Sequence, residues 1–231
     1  MSRFLAILLI GIASPALAGG TAIISGAGSA PDDPNEQYAM EVTWLDDQTV
    51  RMDPEGTPAY MLVRDGSAYS ITDAGGQLMV LDMSSIMKLA GSMGGGIPAG
   101  AAQQAPTVAD AESVDSLEPT GRKETVAGIS GEVYEVRWTS SDGEVHVDEA
   151  VLSDDPLLLE MSSAFQAFGA ALAGEQDAQP LNDALEAEGL AALRFGDRYR
   201  VTAISDDTPP DSHFQLPAKP MDLGQGFGQF Q

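Results

Sequence analysis

The sequence predicts a mainly β protein with some helix, of the α+β class, in which short strands follow one another as an antiparallel meander. Apolar and polar residues alternate in short runs, which is the pattern of half-buried strands. These runs recur about every ten residues, as they do in sheets whose strands are joined by hairpins. Turn pairs such as Asp65-Gly66 separate them, because glycine accepts the positive φ that tight hairpins require.

Five strands are predicted in the first part of the chain. In the first of them Tyr38, Met40, Val42 and Trp44 share one side and smaller or polar residues take the other. Such a period of two indicates one buried and one exposed face. The five predicted strands are residues 38–44, 49–52, 59–64, 67–72 and 77–82.

The middle of the chain predicts a short helix and then an insert. Ile86, Leu89 and Met93 fall at helical spacing within residues 83–93, which favours a helix there. Residues 94–121 are rich in Ala, Gln, Pro and acidic side chains and contain almost no large apolar residue. We expect this insert to be a mobile loop within one domain.

The second half predicts a hairpin, two helices and two closing strands. The hairpin joins residues 132–138 to 144–151 across Asp142-Gly143. Asp154-Asp155 caps the first helix and Pro156 occupies its first turn, where its missing N–H costs nothing. The predicted elements that follow are helices at 156–172 and 180–190, strands at 192–195 and 198–204, and a final packed segment at 212–217.

Residues 1–18 are typical of a cleavable signal peptide. Arg3 precedes a short apolar run, and Ala16-Leu17-Ala18 has the small-x-small form of a cleavage site. We therefore expect cleavage after Ala18, a periplasmic or secreted protein, and no integral membrane segment in the mature chain; the alternative is a buried N-terminal helix. The remaining organisation is a flexible lead-in at 19–36, one domain at 37–220 and a disordered tail at 221–231.

The composition excludes nucleic acid as a partner. The chain has 35 acidic and 11 basic residues, whereas phosphate neutralisation needs clustered Lys and Arg. The acidity indicates either a soluble, salt-tolerant surface or, alternatively, a basic partner or a weak cation site. Cysteine is absent, so the fold depends on its core rather than on disulfides.

The sequence predicts no catalytic residue, no metal ligand and no cofactor. The two histidines, His146 and His213, are far apart in the chain and have no cysteine to join them in a zinc site. His146 is interpreted as an exposed strand residue, because Val145 and Val147 share the opposite face. Paired carboxylates occur at turns and helix caps, and neither a Gly-x-Ser-x-Gly elbow nor a phosphate-binding glycine loop is present.

Methionine is the one residue type whose placement in the chain is unusual. Eight of the ten methionines fall on predicted strands and helices. Flexible thioethers suit an adaptable apolar surface such as a cavity for acyl chains, and they also fill ordinary cores. Both interpretations stay open at this point.

Several motifs resemble those of an uncharacterised family of exported bacterial proteins. They are Tyr38-x-Met40, Val50-Arg-Met52, Tyr60-Met-Leu-Val-Arg-Asp-Gly66, Met79-x-Leu-Asp-Met83 and Gly128-Ile-Ser-Gly131 with the following Tyr134-Glu-Val-x-Trp138. The closing Phe214-Gln-Leu-Pro217 resembles the Phe-x-x-Pro ending of LolA-like lipoprotein carriers. The resemblance covers residues 38–217 apart from the insert, and its motifs are packing motifs.

This resemblance implies a curved antiparallel sheet, an unclosed β-barrel, with helices packed on its concave face. In such carriers the cavity holds lipid or acyl chains. The side chains expected to line a cavity of this kind are Met79, Met83, Met87, Met161, Phe165 and Phe168.

The favoured function is therefore that of a non-enzymatic periplasmic protein that binds a hydrophobic or lipid-like ligand in the concave face. Its partner would be a lipid, a lipoprotein or an envelope protein, and we expect a monomer. The alternative is an envelope protein-interaction or sensor module without a small-molecule ligand. An exported hydrolase is a third and weaker reading, because no residue can be named for its chemistry.

Overall fold

The structure, a computed structural model, describes residues 19–27, 37–73, 75–83, 85–86, 111–140, 143–173 and 180–221. Within these ranges the chain forms eleven strands, two α-helices and one 3-10 helix at Asp211–Phe214. The strands are β1 (Gly20–Ala27), β2 (Gln37–Asp46), β3 (Thr49–Pro54), β4 (Tyr60–Arg64), β5 (Ser67–Asp73), β6 (Leu78–Asp82), β7 (Ala111–Val126), β8 (Ile129–Ser140), β9 (Val145–Ser153), β10 (Ala191–Phe195) and β11 (Tyr199–Ser205). The helices are α1 (Pro156–Ala173) and α2 (Pro180–Ala187).

All eleven strands belong to one antiparallel sheet that does not close. Their order is β6-β5-β4-β3-β2-β1-β11-β10-β9-β8-β7, so β6 and β7 are its two edges. The mainly β class, the antiparallel pairing and the open sheet expected from the sequence are confirmed. Asp65 and Gly66 have φ of 54° and 72°, as a tight turn between β4 and β5 requires.

Strand β1 corrects the expectation of a flexible lead-in. Residues 20–27 pair with β2 on one side and with β11 on the other, in the middle of the sheet. From the sequence alone these glycines indicate a loop. Glycine is required in this strand because neighbouring groups approach its backbone too closely to leave room for a side chain. A Cβ at Gly20 would collide with the ring of Trp44, and a Cβ at Gly26 would collide with the carbonyl of Arg198. Residues 28–36 lie outside the described residues.

Strand β7 corrects the expected extent of the mobile insert. Residues 111–121 belong to this edge strand, which pairs with β8 through several irregularities. Its charged residues and Pro119 suit an edge, where one side of the backbone has no strand partner. Residues 94–110 lie outside the described residues, as do the expected signal peptide, most of the helix expected at 83–93 and the tail after Met221.

The two helices pack against opposite faces of the sheet. Val151 belongs to the buried cluster that contains the apolar stripe of α1, whereas its neighbour Leu152 belongs to the cluster that contains Leu181 and Leu185 of α2. Consecutive strand residues point to opposite faces, so the faces that α1 and α2 cover are different. The expectation that both helices share one face is therefore not met. We refer below to the buried contacts between the sheet and α1 as the sheet–α1 layer.

Helix α1 crosses the strands of the sheet. The carboxylate of Asp155 caps it by accepting hydrogen bonds from the backbone N–H groups of Leu157 and Leu158 at 3.0 and 3.4 Å. The helix touches strands from β10 to β5. Its length of about 27 Å matches the roughly 29 Å that separates these strands at the usual spacing. One helix therefore joins the two halves of the sheet, β1–β6 and β7–β11, on one face.

The C-terminal segment packs on strands β4, β5 and β6, on the face of the sheet opposite to α1. Phe214 is buried with Leu62, Ile71 and Val80. The guanidinium of Arg51 donates to the carbonyl of His213 at 3.2 Å, and that of Arg64 donates to the carbonyl of Phe214 at 3.0 Å. The segment expected to pack at 212–217 thus does so, and it begins as the 3-10 turn Asp211–Phe214.

The tip of the β8–β9 hairpin has the reverse orientation to the one expected. Val145 and Val147 are 58% and 48% exposed, whereas His146 is half-buried and stacks on Trp138 with ring centroids 4.3 Å apart. The prediction that His146 is exposed is therefore wrong. The physical reason is that Trp138 belongs to the cluster buried by α2, and His146 lies opposite it on the same face.

Candidate ligand-binding layer

The sheet–α1 layer brings the buried methionines together. Strands β2, β3 and β4 contribute Met40, Met52 and Met61, the residue after β6 is Met83, and α1 contributes Met161. Each of the five is at most 6% exposed. The other two buried clusters, as far as the structure describes them, contain no methionine. The methionines are thus concentrated on one face rather than spread through the core.

Helix α1 supplies the second wall of this layer. Leu158, Met161, Ala164 and Phe168 recur at spacings of three and four residues and are fully buried. Phe165 is half-buried at the margin of the same contacts. Small side chains such as Ala22, Ala68 and Ala191 face the larger ones across the layer.

The six side chains proposed to line a cavity do not all meet in this layer. Met83, Met161 and Phe168 are buried in it, and Phe165 packs against it. Met79 lies half-exposed on the edge strand β6 and is not among the side chains packed there. Met87 lies outside the described residues.

Two unpaired polar atoms, one inside the layer and one on α1, were missed by the sequence analysis. Trp44 was expected on the inward side of its strand, but the sequence does not show that the indole Nε1 is buried without a hydrogen-bond partner. The Oε2 atom of Glu160, on α1, is also buried and has no partner among the residues described. A glutamate beside a buried helix stripe gives no signal in the sequence, because its side chain can reach solvent or turn inward.

Tyr38 and Tyr199 lie at the junction of the two halves of the sheet. The hydroxyl of Tyr38 donates to the carbonyl of Arg198 at 3.0 Å, and burial raises the pKa of Tyr38 to about 12. Burial and the neighbouring Tyr38 also raise the pKa of Tyr199. Both phenols therefore stay neutral at ordinary pH and act as packing and hydrogen-bonding groups.

A second polar group braces the β8–β9 hairpin on the other face. Trp138 Nε1 donates to Asp148 Oδ2 at 2.8 Å, and Arg198 reaches the same oxygen at 3.5 Å. The hydroxyl of Ser140 donates to the carbonyl of Glu144 at 3.1 Å and lies 3.1 Å from His146 Nε2. These contacts link the two strands of the hairpin.

Two absences within the described ranges bear on other kinds of site. No group of three or more His, Asp or Glu side chains there is arranged to hold a metal ion. None of the helices in the same ranges combines the length and the hydropathy that crossing a bilayer requires.

Comparisons with protein-family models, with curated proteins and with solved structures found no match. The resemblance to LolA-like carriers therefore stays a prediction.

Proposed function

We propose that this chain is a non-enzymatic protein, exported to the periplasm or secreted, that binds a hydrophobic, lipid-like ligand between the concave face of its sheet and α1. The observation that carries the proposal is the concentration of five buried methionines in the sheet–α1 layer and in neither of the other clusters described.

The chemistry of the layer supports insertion of a ligand between the sheet and α1. Thioether side chains are unbranched and polarizable, so they repack around different apolar shapes at little cost. The wall that α1 provides comes from one continuous helix held at its start by the Asp155 cap. A small outward movement of α1 would open apolar surface that an acyl chain could cover.

The first test is native mass spectrometry of the mature protein, purified gently from the periplasm. A discrete adduct of lipid mass supports the proposal, and the polypeptide mass shows whether the chain begins at Gly19. A clean polypeptide mass, together with no fluorescence response to a hydrophobic dye, contradicts ligand binding.

A pair of variants assigns the binding to the sheet–α1 layer. Phe165→Gln makes the margin of the layer polar and is expected to weaken dye binding. Leu78→Gln changes a leucine that is 45% exposed on β6 and serves as the matched control. Equal dye affinities for both variants would place the binding elsewhere.

A second function, binding of an envelope protein without a small ligand, is favoured by the exposed pair Val145 and Val147. They lie on one side of β9, opposite Thr139 and Arg137 of β8. The test is a photo-crosslinker at Val147, with one at the exposed Ser130 of the same hairpin as control. A discrete product that forms only at Val147, and that Val145→Thr abolishes, supports this function.

A further inference from the structure

Trp44 presents an unpaired hydrogen-bond donor inside the sheet–α1 layer. The residue is 1% exposed and packs in the same cluster as Met161 and Phe168. Its six-membered ring lies over Gly20 of β1, where a Cβ would collide with it. The Nε1 atom is buried and has no acceptor within the described ranges.

The other tryptophan of the chain shows what a buried indole normally requires. Trp138 is 5% exposed, and its Nε1 donates to Asp148 Oδ2 at 2.8 Å. Buried indole N–H groups nearly always have such a partner, because leaving one unpaired loses the hydrogen bond that water would have made. The donor of Trp44 is therefore an exception that calls for an acceptor.

Glu160 presents the complementary group. It precedes the buried Met161 on α1 and lies four residues before the buried Ala164, so it borders the buried stripe of the helix. Its Oε2 atom is buried and has no donor within the same ranges. An unpaired donor thus lies inside the layer, and an unpaired acceptor lies on the helix that forms its second wall.

We infer that the ligand of the sheet–α1 layer is an uncharged amphiphile whose head carries both an acceptor and a hydroxyl donor, such as a monoacylglycerol. The inference rests on the proposed function. An ester carbonyl would accept from Trp44 Nε1, and a hydroxyl would donate to Glu160 Oε2. A free fatty acid or a phosphate-bearing lipid would instead bring a negative charge toward Glu160, in a chain of net charge −24.

The test compares monoolein with oleate, which have the same acyl chain and different heads. Trp138→Phe leaves Trp44 as the only tryptophan, since the chain has two. In this background monoolein is expected to shift the emission of Trp44 and to bind more tightly than oleate.

Two further variants separate the donor from the acceptor. Trp44→Phe removes the donor together with part of the ring, and it should weaken monoolein binding, followed by displacement of the dye, by at least about threefold, the value of one net hydrogen bond. Glu160→Gln has nearly the same shape and removes the charge, so it should raise the affinity for oleate several-fold.

The outcomes distinguish this inference from the function on which it rests. If monoolein, oleate and the dye all fail to bind, the proposed function and the inference are both overturned. If they bind with affinities that neither Trp44→Phe nor Glu160→Gln changes, only the inference is overturned, and ordered water pairs the two polar atoms.

Discussion

Replacing Phe214 by alanine tests whether the C-terminal segment is part of the folded core. The phenyl ring is 1% exposed and packs on Leu62, Ile71 and Val80, which are themselves at most 1% exposed. Removing a buried phenyl ring typically costs about 3–5 kcal/mol of the free energy of unfolding, from lost transfer energy and the remaining cavity.

The structure places the expected loss toward the lower end of that range. Arg51 and Arg64 donate to the carbonyl groups of His213 and Phe214, and these bonds do not depend on the phenyl ring. The backbone of the segment should therefore stay in place and still shield part of the cluster beneath it. We expect a loss of about 3 kcal/mol for Phe214→Ala.

The assay is urea unfolding followed by far-ultraviolet circular dichroism. Gln215→Ala changes the exposed neighbouring side chain and should stay within about 0.5 kcal/mol of the parent, as for most surface substitutions. A loss below about 1 kcal/mol for Phe214→Ala would refute the reasoning, because a ring packed as described cannot be removed so cheaply.

Three more substitutions test other parts of the fold. Gly131→Ala should destabilise by about 1–3 kcal/mol through overpacking, since its Cβ would lie 2.7 Å from the carbonyl oxygen of Leu152; Ser130→Ala is the control, and thermal unfolding measures both. Asp155→Ala should cost about 1 kcal/mol by removing the α1 cap, and an unchanged urea midpoint would contradict it. Burial and the nearby Arg51 lower the pKa of His213. Its contribution to stability is thus present above pH 6.5, the ordinary histidine pKa, and is lost as the pH falls through the lowered value. His213→Gln should reduce the dependence of the free energy of unfolding on pH in that range. An unchanged pH dependence would contradict this expectation.

Most strands could be predicted because the information that specifies them is local. Alternation in β2 and the Asp65-Gly66 turn depend only on neighbouring residues. Strand β1 could not be predicted in this way. Its glycines are set by distant groups, the ring of Trp44 and the carbonyl of Arg198, and a sequence reading interprets them as loop residues.

The face that a strand buries is likewise a tertiary property. In β9 both Val145 and His146 fit a strand, and the valines are the more apolar choice for the buried side. The packing of α2 around Trp138 decides otherwise. The same limit applies to the candidate site: methionine content indicated an adaptable apolar surface, whereas the unpaired atoms of Trp44 and Glu160 emerge only from packing.

The position of β1 has a consequence for the order in which the chain folds. The strand lies between β2 and β11, and Thr202 of β11 donates to the carbonyl of Ile23, 179 positions earlier. Each half of the sheet can form its hairpins locally, but joining them requires the two ends of the chain to meet. Contacts of such long sequence separation form slowly, because the loop they close must be ordered first. The two halves therefore cannot pair through β1 and β11 until the last strand has been made.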